Sequence, residues 1–330
     1  MRGQQPVLFP AQPETAPFML PVSQSVPARL PFIEANTKEV EMEHLKAGCI
    51  IPVFSKDNEV TISHQSFIDT ILDAAKRVFP SEPFSSPSIR VSHVVKGRTP
   101  EAIHKTVGQL LDSEKTIYYE RMMFCFEIPS IYEEVGGCRL NLTIGGVRAY
   151  NEQNLYARKS PEKFKVFIGF KNLICCNLCV STDGYKASLR VMDLHAMLSA
   201  AEELFRSYDM HRHLSLMSAY GTVTMSESQF AQLLGRCRLY QYLPSAERKR
   251  IPELLFTDTQ VGMMARAYYE DENFGRGDCL SLWKVHNLFT GANKSSYIDN
   301  FLDRAENASV VTTGLARALH GDPEYAWFLG

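Results

Sequence analysis

Apolar positions in this chain change their period twice. From Ser63 they recur with helical spacing: Phe67, Ile68, Ile71, Leu72, Ala75, Val78 and Phe79 share one face, and Ser63 is a candidate N-cap. Pro80, Pro83 and Pro87 stop that helix. Residues 89–95 read as a strand, and Thr99-Pro100 predicts a second helix by placing Pro at the first helical position. Residues 49–54 and 59–62 flank the turn formers Lys56-Asp57-Asn58 and predict a hairpin. The middle of the chain then turns β-rich. Residues 118–128, 138–150, 164–179 and 185–191 are dense in β-branched and aromatic side chains. Gly136-Gly137 and Asp183-Gly184 are hairpin signals between these runs, so the pairing is expected to be antiparallel. After Asp193 the helical period returns through Leu194, Met197, Leu198, Ala201, Leu204, Phe205 and Tyr208. Ser226-x-x-Gln229 is a capping box, and further helices are expected near residues 246–256, 258–270, 279–290 and 296–319.

This pattern predicts an α+β fold: an antiparallel sheet with early helices packed on it and a helical C-terminal part. Residues 1–37 form a proline-rich arm, 38–192 the sheet region and 193–330 the helical region, packed on the sheet as one large domain. The arm carries seven of the 17 prolines within residues 1–36 and only the charges Arg2, Glu14, Arg29 and Glu34. That composition removes backbone donors and predicts an extended, disordered segment. Phe9, Phe18, Met19, Leu20 and Phe32 would make it either a docking strip for a protein partner or simply a mobile arm.

Composition narrows the function classes. With 35 Lys+Arg against 37 Asp+Glu, the net charge of -2 gives no global field toward nucleic acid or membrane, so such binding needs a local patch. No run is long and apolar enough to span a membrane. Prolines break up any secretory h-region at the start, so the eight cysteines read as reduced thiols and the expected location is cytoplasmic. There is no P-loop, no strand-to-helix G-x-G-x-x-G and no G-x-S-x-G elbow, and no cofactor is expected. Gly145-Gly146 marks a bulge or a close backbone approach.

Two metal-like spacings fail on geometry. Cys175-Cys176-x-x-Cys179 has no second ligand pair, and on a strand its thiols diverge. His211 and His213 point about 200° apart on a helix, and near the end of the helix opened by Asp193 they read as dipole-favoured caps. Glu270-Asp271-Glu272 with Asp278 reads as a solvated loop.

The richest candidate chemistry lies between residues 148 and 171. Arg148, Arg158, Lys159, Lys163, Lys165 and Lys171 are interleaved with Tyr150, Tyr156, Phe164, Phe167 and Phe170. Cations that neutralise phosphates beside rings that stack on bases are the make-up of a single-stranded nucleic-acid site. A half-buried strand pair with a solvated basic face gives the same pattern. A second basic cluster, Arg248-Lys249-Arg250, reads as the exposed side of a helix.

Two segments resemble an uncharacterised phage/plasmid-like protein family. One is the apolar run from Phe167 that ends in Cys-Cys-Asn177. The other is Trp283 four residues before Asn287-x-x-Thr290, followed by Asp299. The closer relatives are proteins of unknown function from conjugative elements and plasmids of gut-type bacteria. The family usually has a His after that Asp, where this chain has Asn300. The resemblance implies a mobile-element setting and no defined activity. Its motif residues Asn177, Trp283, Asn287, Thr290 and Asp299 either clamp a partner strand or belong to the core.

Three functions are therefore separable. A non-enzymatic binder of single-stranded DNA in replication or recombination requires the 148–171 side chains to converge on an exposed groove. A protein-interaction factor requires an exposed apolar patch. A hydrolase using Asp271, Asp278, His286 or Asp299 requires a deep pocket with shifted pKa values.

Overall fold

The computed structural model describes residues 30–49, 61–102, 104–152, 160–277 and 279–330. The expected 49–62 hairpin, the arm before Leu30, Tyr156, Arg158, Lys159 and Asp278 lie outside these residues, wholly or in large part. In chain order the elements are β1 (Lys38–Glu39), α1 (Met42–Gly48), α2 (His64–Val78), β2 (Ser88–Val91) and β3 (Val94–Arg98). Next come β4 (Lys115–Tyr119), β5 (Arg121–Val135), β6 (Cys138–Ala149), β7 (Glu162–Asn172), β8 (Leu178–Cys179) and β9 (Tyr185–Val191). The remainder holds α3 (Leu194–Ser207), α4 (Met210–Tyr220), β10 (Thr224–Met225), α5 (Glu227–Tyr240) and α6 (Ser245–Arg248). It ends with α7 (Asp258–Glu270), β11 (Leu280–Ser281), α8 (Leu282–Asn293) and α9 (Ile298–Leu319). Among the described residues no helix is long and apolar enough to cross a membrane.

The fold is α+β, built on an antiparallel sheet ordered β1-β2-β5-β6-β7-β8, with β9 also pairing β7. Gly136 and Gly137 form the two-residue turn between β5 and β6, both with positive φ (56° and 76°), the conformation such a turn requires. Pro129 sits where the β5–β6 register shifts, between Ile128 and Tyr132, because it cannot donate to the ladder. β3 and β4 pair as a separate hairpin.

Both faces of the central strands are covered. One face presents Phe124, Phe126, Leu142, Ile144, Phe164, Val166, Ile168 and Phe170 to α2 and α3 in the larger core. Phe67 of α2 lies 5.2 Å from Phe124 and 4.7 Å from Phe164 between ring centroids, contacts worth about 0.5–1.5 kcal/mol each beyond their buried area. A Cβ on Gly146 would stand 2.5 Å from the Phe67 ring, so this glycine marks a close approach and not a bulge. The opposite face presents Met123, Cys125, Val147 and Phe167 to Ile298, Phe301, Leu302 and Ala305 of α9. Phe32 and Ile33 complete that second core, so the last residues of the expected arm belong to the compact unit that begins at Pro31.

Several caps stand where the sequence places them. Ser63, Asp193 and Ser226 accept from the backbone N–H groups of Ser66, Ala196 and Gln229. Other expectations need correction. The helix expected at Pro100 is a single 3-10 turn (Pro100–Ala102), within a loop closed by Thr99 N–H donating to Glu114 O. Residues 173–177 leave the strand, and Cys176 has φ +56°, so the 175–179 cysteines are not on one strand. Asp209 caps a new helix at Arg212, which places His211 and His213 at the start of α4 and overturns their reading as C-terminal caps. The helix expected over 246–256 shrinks to α6.

Candidate functional site

Among the described residues, the 148–171 side chains do not form an exposed groove. Arg148 is fully shielded, its guanidinium 4.5 Å from the ring centroids of both Tyr150 and Phe164. It donates to the Glu162 carboxylate and to Ile62 O. Tyr150 is buried, which pushes its phenol up to about 12. Lys165, only 5% exposed, donates to Asp299 O and, at 2.8 Å, to Asp303 of α9. Lys163 pairs with Glu152 at 2.6 Å, and Lys171 pairs with Glu127. The expected solvated basic strand face is instead neutralised by carboxylates, Asp303 of α9 on Lys165, Glu152 on Lys163 and Lys165, and Glu127 on Lys171. Lys165 fastens α9 to the sheet, Lys171 pairs within the sheet, Lys163 pairs with the turn after β6, and Arg148 ties β7 to the entry of α2.

The motif residues turn inward as well. Asn287 donates to Trp283 O at 2.9 Å, and its Oδ1 accepts from Asn172 at 3.3 Å. Asn177 donates to Asn287 O at 3.2 Å, and Thr290 to His286 O at 3.0 Å. The α8 face that carries Trp283, Asn287 and Thr290 thus holds the turn between β7 and β8 of its own sheet. Trp283 also lies against Gly136, where an added Cβ would be 2.5 Å from the indole. Asp299, in the first turn of α9, receives Asn151 Nδ2 at 3.3 Å and faces Arg121 Nε at 3.4 Å.

Of the residues considered for hydrolysis, the described Asp271, His286 and Asp299 belong to separate networks. Asp271 Oδ1 accepts from the N–H groups of Asn273 and Phe274, closing a loop. His286 lies in the core beside Tyr220 and Trp283. Burial lowers its pKa to about 3, that of His213 to about 4 and that of His64 to about 3, so all three are neutral imidazoles at pH 7. Among the described residues, no group of three or more His, Cys, Asp or Glu side chains could hold a metal ion.

Two of the solvent-facing features among the described residues bring polar side chains together. The first is a pair of open clefts of about 530 and 540 Å³ along α9 that share Thr182, Val310 and Tyr325. The first cleft is flanked by Glu253, Asp303, Arg304 and Glu306, the second by Arg212, His213 and Arg317. Neither was legible in the sequence, because each joins the 181–183 turn to residues more than a hundred positions later.

The second feature is the corner between α5 and α6. Arg248 donates to Gln241 O at 2.8 Å and lies 5.5 Å from the Tyr240 ring centroid. Arg238 grips Asp258 through two hydrogen bonds of 2.6 and 3.0 Å. Lys249 and Arg250 are exposed and have no side-chain partner among the described residues. Tyr242 beside them is 78% exposed, and Leu239 is 57% exposed. Arg248-Lys249-Arg250 is the chain's only run of three basic residues, so the signal was present in the sequence.

Residues 13–329 match the family model described as "Domain of unknown function, B. Theta Gene description (DUF3871)". No curated protein and no solved structure matches the chain.

Proposed function

The chain belongs to that family of unknown function, and we propose that it is a non-enzymatic protein that binds single-stranded nucleic acid at the α5–α6 corner. The observation that carries this reading is the exposed pair Lys249 and Arg250, without a side-chain partner among the described residues, beside the solvent-facing ring of Tyr242. Phosphates would displace counterions from Lys249, Arg250 and Arg248, and a base would stack on Tyr242 for about 1–3 kcal/mol. Arg148, Lys165 and Lys171 take no part, since the fold's own carboxylates hold them. In the mobile-element setting that the motif resemblance implies, the ligand is the strand exposed during replication or recombination.

The test is fluorescence anisotropy with labelled single- and double-stranded oligonucleotides over a salt series. Single-strand binding is expected to weaken with a log–log slope of about -2, from roughly three neutralised phosphates at about 0.7 each. Lys249→Glu/Arg250→Glu is expected to abolish it, while the charge-matched Lys46→Glu/Lys76→Glu on α1 and α2 retains it. Absence of binding at low salt, or equal loss in both double variants, overturns the proposal.

A further inference from the structure

The outer face of α5 runs on from the α5–α6 corner. Gln232, Gly235, Arg236, Leu239 and Tyr242 recur at i, i+3, i+4, i+7 and i+10, so they form one stripe. Arg236 is half-buried and the other four are exposed. Tyr242 N–H donates to Leu239 O at 3.0 Å, so the closing turn carries the stripe past the end of the helix. A Cβ on Gly235 would meet nothing within 4 Å, which leaves the space beside Arg236 open. No Asp or Glu occurs between Glu227 and Glu247, so the stripe itself carries no carboxylate.

The two arginines of α5 differ in what holds them. Asp258 of α7 neutralises Arg238. Arg236 has no carboxylate partner among the described residues, and its guanidinium lies over the Trp327 ring, 5.0 Å from the centroid. That indole is partly buried against the core and is braced by Phe328 at 5.2 Å and Tyr240 at 6.3 Å between ring centroids. Arg248 lies over Tyr240 in the same way. A guanidinium backed by a ring keeps its charge and offers a plane on which an unpaired base stacks.

We infer that a single strand held at the α5–α6 corner continues along α5, with one base on Tyr242, a second on the guanidinium of Arg236, and Leu239 between them. This second base position rests on the reading of that corner as a nucleic-acid site. Six residues separate Arg236 from Tyr242, about 9 Å along the helix axis. The step between stacked bases is only about 3.4 Å, so the two bases are held apart, as a single strand allows and a duplex does not. Arg236 takes the face of a base and not a phosphate, so it adds affinity without adding to the salt dependence.

The experiment is fluorescence anisotropy of labelled oligothymidylate over a salt series, with tryptophan emission read in parallel. It compares the full chain with Arg236→Lys, Arg236→Gln and the corner variant Lys249→Glu/Arg250→Glu. Arg236→Lys keeps the charge and loses the plane, so both Arg236 variants are expected to bind at least about fivefold more weakly with an unchanged salt slope. A phosphate contact would instead spare Arg236→Lys and flatten the slope in Arg236→Gln. Binding is also expected to change the emission of Trp327 saturably, and Trp327→Phe to remove that change, since Trp283 is only 4% exposed. If the unmodified chain binds and only the corner variant loses affinity, the second base position is overturned and the corner reading stands. A flattened slope in Arg236→Gln, or an emission change that survives in Trp327→Phe, overturns it as well. If the unmodified chain does not bind at low salt, both readings fall together.

Discussion

Arg148 and Glu162 form an ion pair across neighbouring strands, with the arginine side chain fully shielded and the carboxylate side chain 17% exposed. Glu162 also accepts from Ile62 N–H at 2.9 Å, so the pair joins the entry to α2 to the sheet. Removing one partner strands the other charge. Arg148→Ala is expected to lower stability by about 3–5 kcal/mol, whereas Arg148→Met/Glu162→Leu recovers most of that loss. Urea unfolding of the two variants checks this, and a double variant no better than the single one contradicts it.

Gly136 faces two constraints at once, a left-handed φ of 56° and the Trp283 indole against its Cα. Gly136→Ala is expected to destabilise by about 1–3 kcal/mol through strain and overpacking. The chain has two tryptophans, so in a Trp327→Phe background the emission of Trp283 reports the displaced ring directly. Unchanged emission and stability would contradict this contact.

His64, His213 and His286 are held neutral by burial, with pKa values lowered to about 3, 4 and 3. The unfolded chain protonates these groups near their ordinary value of 6.5 and the folded state does not, so their stability contribution is full above 6.5 and falls as pH drops. Three such groups give a slope approaching about 4 kcal/mol per pH unit between pH 6 and pH 4. His286→Gln is expected to flatten that slope by about a third, measured by chemical unfolding at stepped pH. An unchanged slope contradicts the assignment.

Asp209 accepts from Arg212 N–H at 2.9 Å and separates α4 from α3. Asp209→Ala is expected to cost about 0.5–2 kcal/mol, and Asp209→Asn to restore most of it, by thermal or urea unfolding.

Features set by neighbouring residues were legible in the sequence, and features set by distant ones were not. Ser63, Asp193, Ser226 and the Gly136-Gly137 turn act through atoms three or fewer residues away, which is why they stand where local patterning places them. Lys165 reads as a solvent-facing cation because its partner Asp303 lies 138 positions later. The same distance problem hid the clefts along α9. The break between α3 and α4 is different: Asp209 is itself a capping residue, and the apolar stripe running through Tyr208 obscured it. The α5–α6 basic run and its exposure were visible, but the exposed Tyr242 ring beside it follows only from the packing of α5.

The double cover over β6 and β7 also decides how the molecule opens. Backbone amides there are sealed by α2 and α3 on one side and by α9 on the other, so they are expected to be the last to exchange with deuterium. Turns, helix ends and the clefts exchange first, and a ligand can arrive and leave at that rim while the strands beneath stay closed.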